Sequence, residues 1–195
     1  ATWMRGQDPH SPDSGWGARL LELMYDVPDF SSCISLAGTN LWQRGAALSP
    51  FGMSAAGVPE LTALKGSGKR AAMLRDVQSR LFGTQQHPLA DQFALSHSQA
   101  QSRSAIVATA LTQAPVLQTE FNNANPLALQ LQMVAKMISV QSLLGVGRQV
   151  FFVGLGGFDT HDAQNSVQPA LLGTVAEALS SFYQSTVELG LSEQV

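Results

Sequence analysis

The stretch RQVFFVGLGGF, residues 148 to 158, constrains this chain more than any other. It is a continuous run of apolar β-formers bounded by glycines and too short for a free-standing helix, so it reads as a strand buried on both faces. Such strands belong to α/β sheets, where helices carry the chain from one strand to the next. Helical spacing resumes near Pro169, with Leu171, Val175, Leu179, Phe182 and Thr186 on one side and Gly190 placed to stop the helix. The residues between, DTHDAQ, therefore lie on a strand-to-helix loop. In open α/β sheets ligands bind beyond the carboxyl ends of the strands, where this loop belongs.

Most of the remaining chain has helical periodicity. Trp16, Leu20, Leu23 and Val27 recur every three or four residues behind SPDSG, whose Asp13 or Ser14 can cap a first turn. Met73, Val77 and Leu81 predict a second helix. A longer stripe runs through Leu89, Phe93, His97, Ala100, Ser104, Val107 and Leu111 and ends before Pro115. Asn125-Pro126 reads as a cap with proline at the first helical position, ahead of Leu127, Leu131, Val134 and Ile138, and Gly145 and Gly147 are placed to end that helix. A segment from about 32 to 60, rich in Gly, Pro and Ser, reads as short strands and loops.

With 195 residues, 45% of them hydrophobic and 13% charged, the chain predicts one α/β domain over 1–195. A net charge of -3 with no run of cations argues against nucleic acid and an anionic membrane as partners. Cys33 stands alone, which excludes an intrachain disulfide and a cysteine metal cage and leaves it as a small buried hydrophobe. No window reaches the roughly 18 apolar residues of a membrane span, and ATWMRGQDPH has neither region of a signal peptide, so the chain as given is expected to be soluble. One well-marked strand among several amphipathic helices predicts an open sheet edge, exposed apolar faces and self-association into a homo-oligomer.

The loop carries the chemistry. If DTH continues the extended backbone, Asp159 and His161 point to the same side with Cβ atoms about 7 Å apart. A carboxylate and an imidazole suit zinc or manganese, but a catalytic zinc takes three protein ligands and an open position. The loop offers two, or three with Asp162, while Gly156 and Gly157 permit positive φ and close approach of a ligand. Other fingerprints fail: GLGGFD lacks the last glycine of the dinucleotide motif, GSGKR has Arg70 where a phosphate loop needs Ser or Thr, and GMSAAG misplaces its glycines around Ser54 for a nucleophile elbow. A purely structural role stands beside the chemical one: Asp162 or Ser166 capping the next helix, Asp159 bonding loop amides, His161 solvated. His97, on an apolar stripe, reads as a partly buried core residue, and His10 and His87 as surface.

DSGWGARLLELM (13–24), ISLAGTNLWQRG (34–45), LQLQMVAKMI (129–138), RQVFFVGLGGFDTHDAQ (148–164) and PALLGTVAEALSSFYQSTVELG (169–190) together resemble bacterial domain-of-unknown-function family 1501 over nearly the whole chain. That family is grouped by distant similarity with the alkaline phosphatase and sulfatase superfamily. The resemblance implies a partial three-layer α/β/α sandwich of alkaline-phosphatase-like type, helix-rich here, in a parent protein that is periplasmic or exported. It implies a divalent metal held by Asp159 and His161, with Asp162 and Gln164 behind them, and hydrolysis of a small-molecule phosphate, sulfate or carboxylic ester. It also implies that the nucleophile and further ligands lie outside these 195 residues, and the superfamily's usual ligand spacing has three residues between Asp and His where this chain has one. The competing expectation is a non-catalytic structural or protein-binding module whose glycine loop is only a strand-to-helix turn.

Overall fold

A computed structural model describes residues 2–6, 14–24, 29–83 and 87–195, so Asp13, His10 and Val27 lie outside the described residues. The fold is mixed α/β, and the chain gathers into two compact units, Ala1–Gly57 with Ala110–Val195, and Val58–Thr109.

The first unit holds a parallel sheet of order β2-β1-β3, with β1 at Cys33–Ser35, β2 at Phe51–Gly52 and β3 at Val150–Phe152. Ile34 stands opposite Phe51 on one side and Phe151 on the other. The central, fully buried strand is thus CIS, while β3 is a half-buried edge strand among the described residues. This corrects the expectation that the VFF run is buried on both faces. At three residues, with Ile34 its one large apolar side chain between Cys33 and Ser35, this strand is inconspicuous by hydropathy although all three residues are buried. Desolvation by burial pushes the Cys33 thiol up to about 12, as befits a small buried hydrophobe.

Before the sheet come the short α1 (Thr2–Arg5) and α2 (Trp16–Met24). The face α2 buries is Gly17, Ala18 and Leu21, whereas Trp16, Leu20 and Leu23 are exposed. The expected stripe is therefore displaced by one residue. Small residues explain it: a Cβ on Gly17 would lie 2.5 Å from the Trp42 ring, so only glycine lets the helix approach this closely. Ala18 and Leu21 then pack on Cys33, Leu48 and Val150. The carbonyl and hydroxyl oxygens of Ser14 accept from Arg19 Nη1 at 3.0 Å.

Gln43 joins this layer to the strands. Its side chain is fully buried, and Nε2 donates to Ile34 O at 2.9 Å and to Val150 O at 3.3 Å while Oε1 accepts from Asn40 Nδ2 at 2.9 Å. A buried amide is tolerated because its partners are present.

Downstream, α6 (Pro126–Ser139) starts as its sequence dictates. Asn125 Oδ1 accepts from the amides of Leu127 and Ala128, and Leu127, Leu131, Val134 and Ile138 are all buried. It stops at Ser139, with the Val140 amide turning back to Met137 and Ile138, so Gly145 (φ +69) and Gly147 follow a run of turns and do not end the helix. The last helix, α7 (Gln164–Glu188), begins five residues ahead of Pro169. A proline this near the start removes only one hydrogen bond, which the packing further along can offset. Phe121, Leu127, Ala128, Leu131 and Ala178 form the cluster that joins α6 and α7, with Val153, Leu155, Val175 and Phe182 against it. Leu179 is exposed, while Gly190 (φ +70) closes the helix as expected.

Glu188 fastens the segment before α6 to α7. Its carboxylate accepts from the amides of Gln118 and Thr119 and from the Thr119 hydroxyl, and the hydroxyl bond above all, then the two amides, holds its pKa below the ordinary glutamate value. Glu177, bonded by Asn125 and Asn122, is lowered for the same reason. A lowered folded pKa means this fastening is present above the ordinary glutamate range and is lost as pH falls through the folded value. The protection of the Gln118 and Thr119 amides, measured as exchange relative to the intrinsic rate at each pH, is expected to fall on acidification below that range. Glu188→Ala is expected to lack this protection at every pH, and a wild-type protection that does not change with pH would contradict the assignment.

In the second unit, α3 (Thr62–Lys65) and α4 (Lys69–Leu81) are tied by Arg75, whose guanidinium donates to Leu64 O and Gly66 O, and α5 (Pro88–Leu111) follows. The expected stripe of α4 is exposed: Met73 by 68% and Leu81 by 63%, with Ala71 buried instead. On α5, Ala94 and Val107 are buried, Leu89 and Phe93 are exposed, and His97 is half-buried and stacked on Phe82 with ring centroids 3.8 Å apart. His87 is exposed, as read from its surroundings.

Candidate functional site

The loop from Gly154 to Ala163 leaves the carboxyl end of β3. Its start is pinned by Gln130 of α6, whose side chain donates to Gly154 O at 2.9 Å and accepts from Gly154 N at 3.0 Å. A Cβ on Gly154 would lie 3.0 Å from the Ala37 Cβ, so the segments leaving β1 and β3 run side by side and glycine is what admits the contact. Beside them, Ser35 at the end of β1 donates from Oγ to Gly38 O at 2.5 Å and accepts from Asn40 Nδ2 at 3.4 Å.

Further along, the backbone takes two left-handed steps, at Gly157 (φ +95) and at His161 (φ +48). The first needs glycine on two counts, since a Cβ there would also meet Leu171 at 3.3 Å. The second is a conformation that few non-glycine residues adopt, although histidine is among the more tolerant. The expected extended DTH is thus replaced by a turn, and the turn still brings the two side chains together: His161 Nε2 is 3.5 Å from Asp159 Oδ2. Both are open to solvent, with side chains 83% and 90% exposed, and they form an ion pair only when the imidazole is protonated.

Of the structural roles weighed for this loop, a solvated His161 is observed, whereas side-chain capping of the next helix is not. Ala163 is the N-cap of α7 and no side chain caps it, so neither Asp162 nor Ser166 serves; Ser166 Oγ donates to Ala163 O at 2.9 Å. Asp162 and Gln164 are exposed, and Gln164 bonds Gln168 along the helix.

As a donor set, Asp159 and His161 fit part of a metal site. With Zn–N and Zn–O bonds of about 2.1 Å, two vertices of a tetrahedron are about 3.4 Å apart, close to the spacing of this pair. The spacing equals one edge of such a shell and no more. Asp162 does not complete it: among the described residues no group of three His, Cys, Asp or Glu side chains is placed to hold an ion.

Gln130 and the Asn40–Gln43 pair were not foreseen. Amide side chains have no periodic or motif signature, and their partners are backbone atoms far away in sequence. No family model, curated protein or solved structure matches the chain, so its chemistry has to be read from the residues themselves.

Proposed function

We propose that the loop after β3 is part of the metal site of an ester hydrolase acting on a small phosphate, sulfate or carboxylic ester. The observation that carries this is the Asp159–His161 pair, 3.5 Å apart, exposed, on a left-handed turn beyond the carboxyl end of a parallel strand. Strain at a non-glycine position persists only where surrounding structure holds it, and functional loops are where it gathers. The resemblance to family 1501 adds to this reading, as does the packing of the first unit. There α2 covers Cys33 and Val150, and α6 with α7 gathers Val153 and Leu155, consistent with a partial three-layer sandwich of alkaline-phosphatase-like type.

In this proposal Asp159 Oδ2 and His161 Nε2 hold a divalent ion such as zinc or manganese, and Asp162 adds negative charge beside them. The ion's contribution when bound is Lewis-acid polarisation of the ester oxygen. The protein supplies position. Gln130 fixes where the loop starts and Gly157 lets it turn, so that the imidazole and the carboxylate face one point in solvent. Further ligands come from outside the described residues.

His161→Ala removes the imidazole donor while leaving strand and helix intact, so stability is expected to change by less than about 1 kcal/mol. Turnover of p-nitrophenyl phosphate or a p-nitrophenyl ester is expected to fall at least about tenfold, the loss that a perturbed metal shell brings. Equal turnover by both proteins, with no change in bound metal, would leave the loop as a turn and favour the non-catalytic module.

Self-association into a homo-oligomer is proposed on the second unit's exposed apolar residues, among them Met73, Leu81, Phe93 and Leu89. Light scattering is expected to show a mass above one chain that grows with concentration. A constant single-chain mass at high concentration would count against it.

A further inference from the structure

The sheet has a switch point, and it lies between β1 and β3. Cys33 and Val150 pack on Ala18 and Leu21 of α2, and the Trp42 ring lies against Trp16 of α2 and Phe152. The chain leaving β1 therefore turns onto the α2 face on its way to β2. Val153, on the alternate face of its strand, packs with Leu155 against the Leu131 and Ala178 cluster of α6 and α7, so the chain leaving β3 passes to the opposite side. Adjacent parallel strands whose connections part in this way leave a crevice beyond their carboxyl ends, where open α/β sheets bind ligands. Its two lips are the segments 36–40 and 154–159. Ala37, Gly38 and Thr39 are exposed, and their amides donate to no protein atom among the described residues. Nothing lies within 4 Å of a Cβ built on Gly38 or on Gly156, so both lips border open space.

We propose that this crevice binds an uncharged carboxylic ester, with its carbonyl oxygen on the backbone amides of Ala37, Gly38 and Thr39; the inference rests on the hydrolase reading above. Charge selects this class over phosphate and sulfate. Segments 36–43 and 154–163 contain no Lys or Arg, and they carry two carboxylates, Asp159 and Asp162. Those two charges already match a divalent ion on Asp159 and His161, so an anionic ester would meet no unbalanced positive charge and would be repelled by the carboxylates. A carboxylic ester is neutral until water adds to its acyl carbon. One negative charge then develops on the carbonyl oxygen, and backbone amides stabilise such a charge without a cationic side chain. The acyl–oxygen bond breaks next, the water's hydroxyl staying on the acyl carbon and its proton leaving with the alcohol. Phe158, exposed on the second lip, offers an uncharged substrate an apolar surface.

The test uses the whole chain. Backbone amide shifts of residues 37–39 are followed by NMR during titration with phenylacetone, the ketone isostere of phenyl acetate, and separately with phenylphosphonate. Phenylacetone is expected to move these amides saturably and phenylphosphonate to leave them in place, with p-nitrophenyl acetate turned over and p-nitrophenyl phosphate not. Thr39→Pro, which removes one donor from an exposed loop, is expected to lower acetate turnover at least about tenfold at an unchanged thermal midpoint, whereas Thr39→Ala, which keeps the donor, matches wild type. Equal loss in both variants would assign the role to the hydroxyl and overturn the amide contact. Shifts caused by phenylphosphonate in place of phenylacetone, or turnover of the phosphate alone, would overturn the substrate class. No shift by either probe beside measurable turnover would overturn the crevice and leave the hydrolase reading standing. Shifts by phenylacetone with neither ester turned over would overturn that reading and keep the crevice.

Discussion

Gly15→Ala is expected to be among the most destabilising single changes in this chain, at about 3 kcal/mol or more. Gly15 is buried, and a Cβ there would lie 2.0 Å from Leu41 O and 2.2 Å from Trp42 O. Both obstacles are backbone atoms of a turn that cannot retreat. Gly15 N donates to Arg44 O at 2.7 Å and Ala18 N to Trp42 O at 3.2 Å, and the Trp42 ring is packed edge-on against Trp16 and lies 6.1 Å from Phe152. Relief would require α2 to lift from Cys33 and Val150. The thermal midpoint is expected to fall by roughly 6 °C or more. Gly173→Ala is the control with the opposite sign: nothing lies within 4 Å of its Cβ position and it sits inside α7, so alanine is expected to stabilise by about 0.5–1 kcal/mol. Equal midpoints for the two variants would show that the 41–45 turn yields freely.

Gln43→Met is expected to cost about 2–4 kcal/mol, because it keeps the volume and removes the polar end from a buried site. Ile34 O and Val150 O lose a donor, and Asn40 Nδ2 loses its 2.9 Å acceptor. The penalty is mostly that of polar groups left buried without partners. Urea unfolding is expected to show a lower midpoint at an unchanged slope. An unchanged midpoint would mean that water replaces the amide. Asn40→Ala, which removes a partner of Gln43 but leaves the two carbonyl bonds in place, is expected to cost less.

What the residues announced and what they concealed follow from how each signal arises. The cap at Asn125 and the stripe of α6 were legible because capping and period are local, and here local preference and packing agree. The strand at 150–152 was legible by hydropathy, but its place at the sheet edge was not. Strand order depends on pairing with residues more than a hundred positions away, and the central strand is the inconspicuous CIS. On α2 the apolar stripe pointed to the wrong face, since close approach through Gly15 and Gly17 outweighed the larger side chains of Trp16 and Leu20. Of the candidate site, the pairing of Asp159 with His161 was anticipated and the route to it was not. An extended DTH and the observed left-handed turn at His161 bring the same two side chains together, and sequence spacing cannot distinguish them.

Whether Asp159 and His161 hold a divalent ion that supports ester hydrolysis is decided by manganese binding followed by electron paramagnetic resonance, with p-nitrophenyl phosphate and p-nitrophenyl ester turnover recorded on the same samples. Because the described residues supply only two ligands, saturation by these 195 residues is expected only at high micromolar to millimolar manganese, with turnover rising along the same curve. The double variant Asp159→Asn, His161→Ala is predicted to lose both. Metal-independent turnover that survives the double substitution, or manganese binding that ignores it, would contradict the claim.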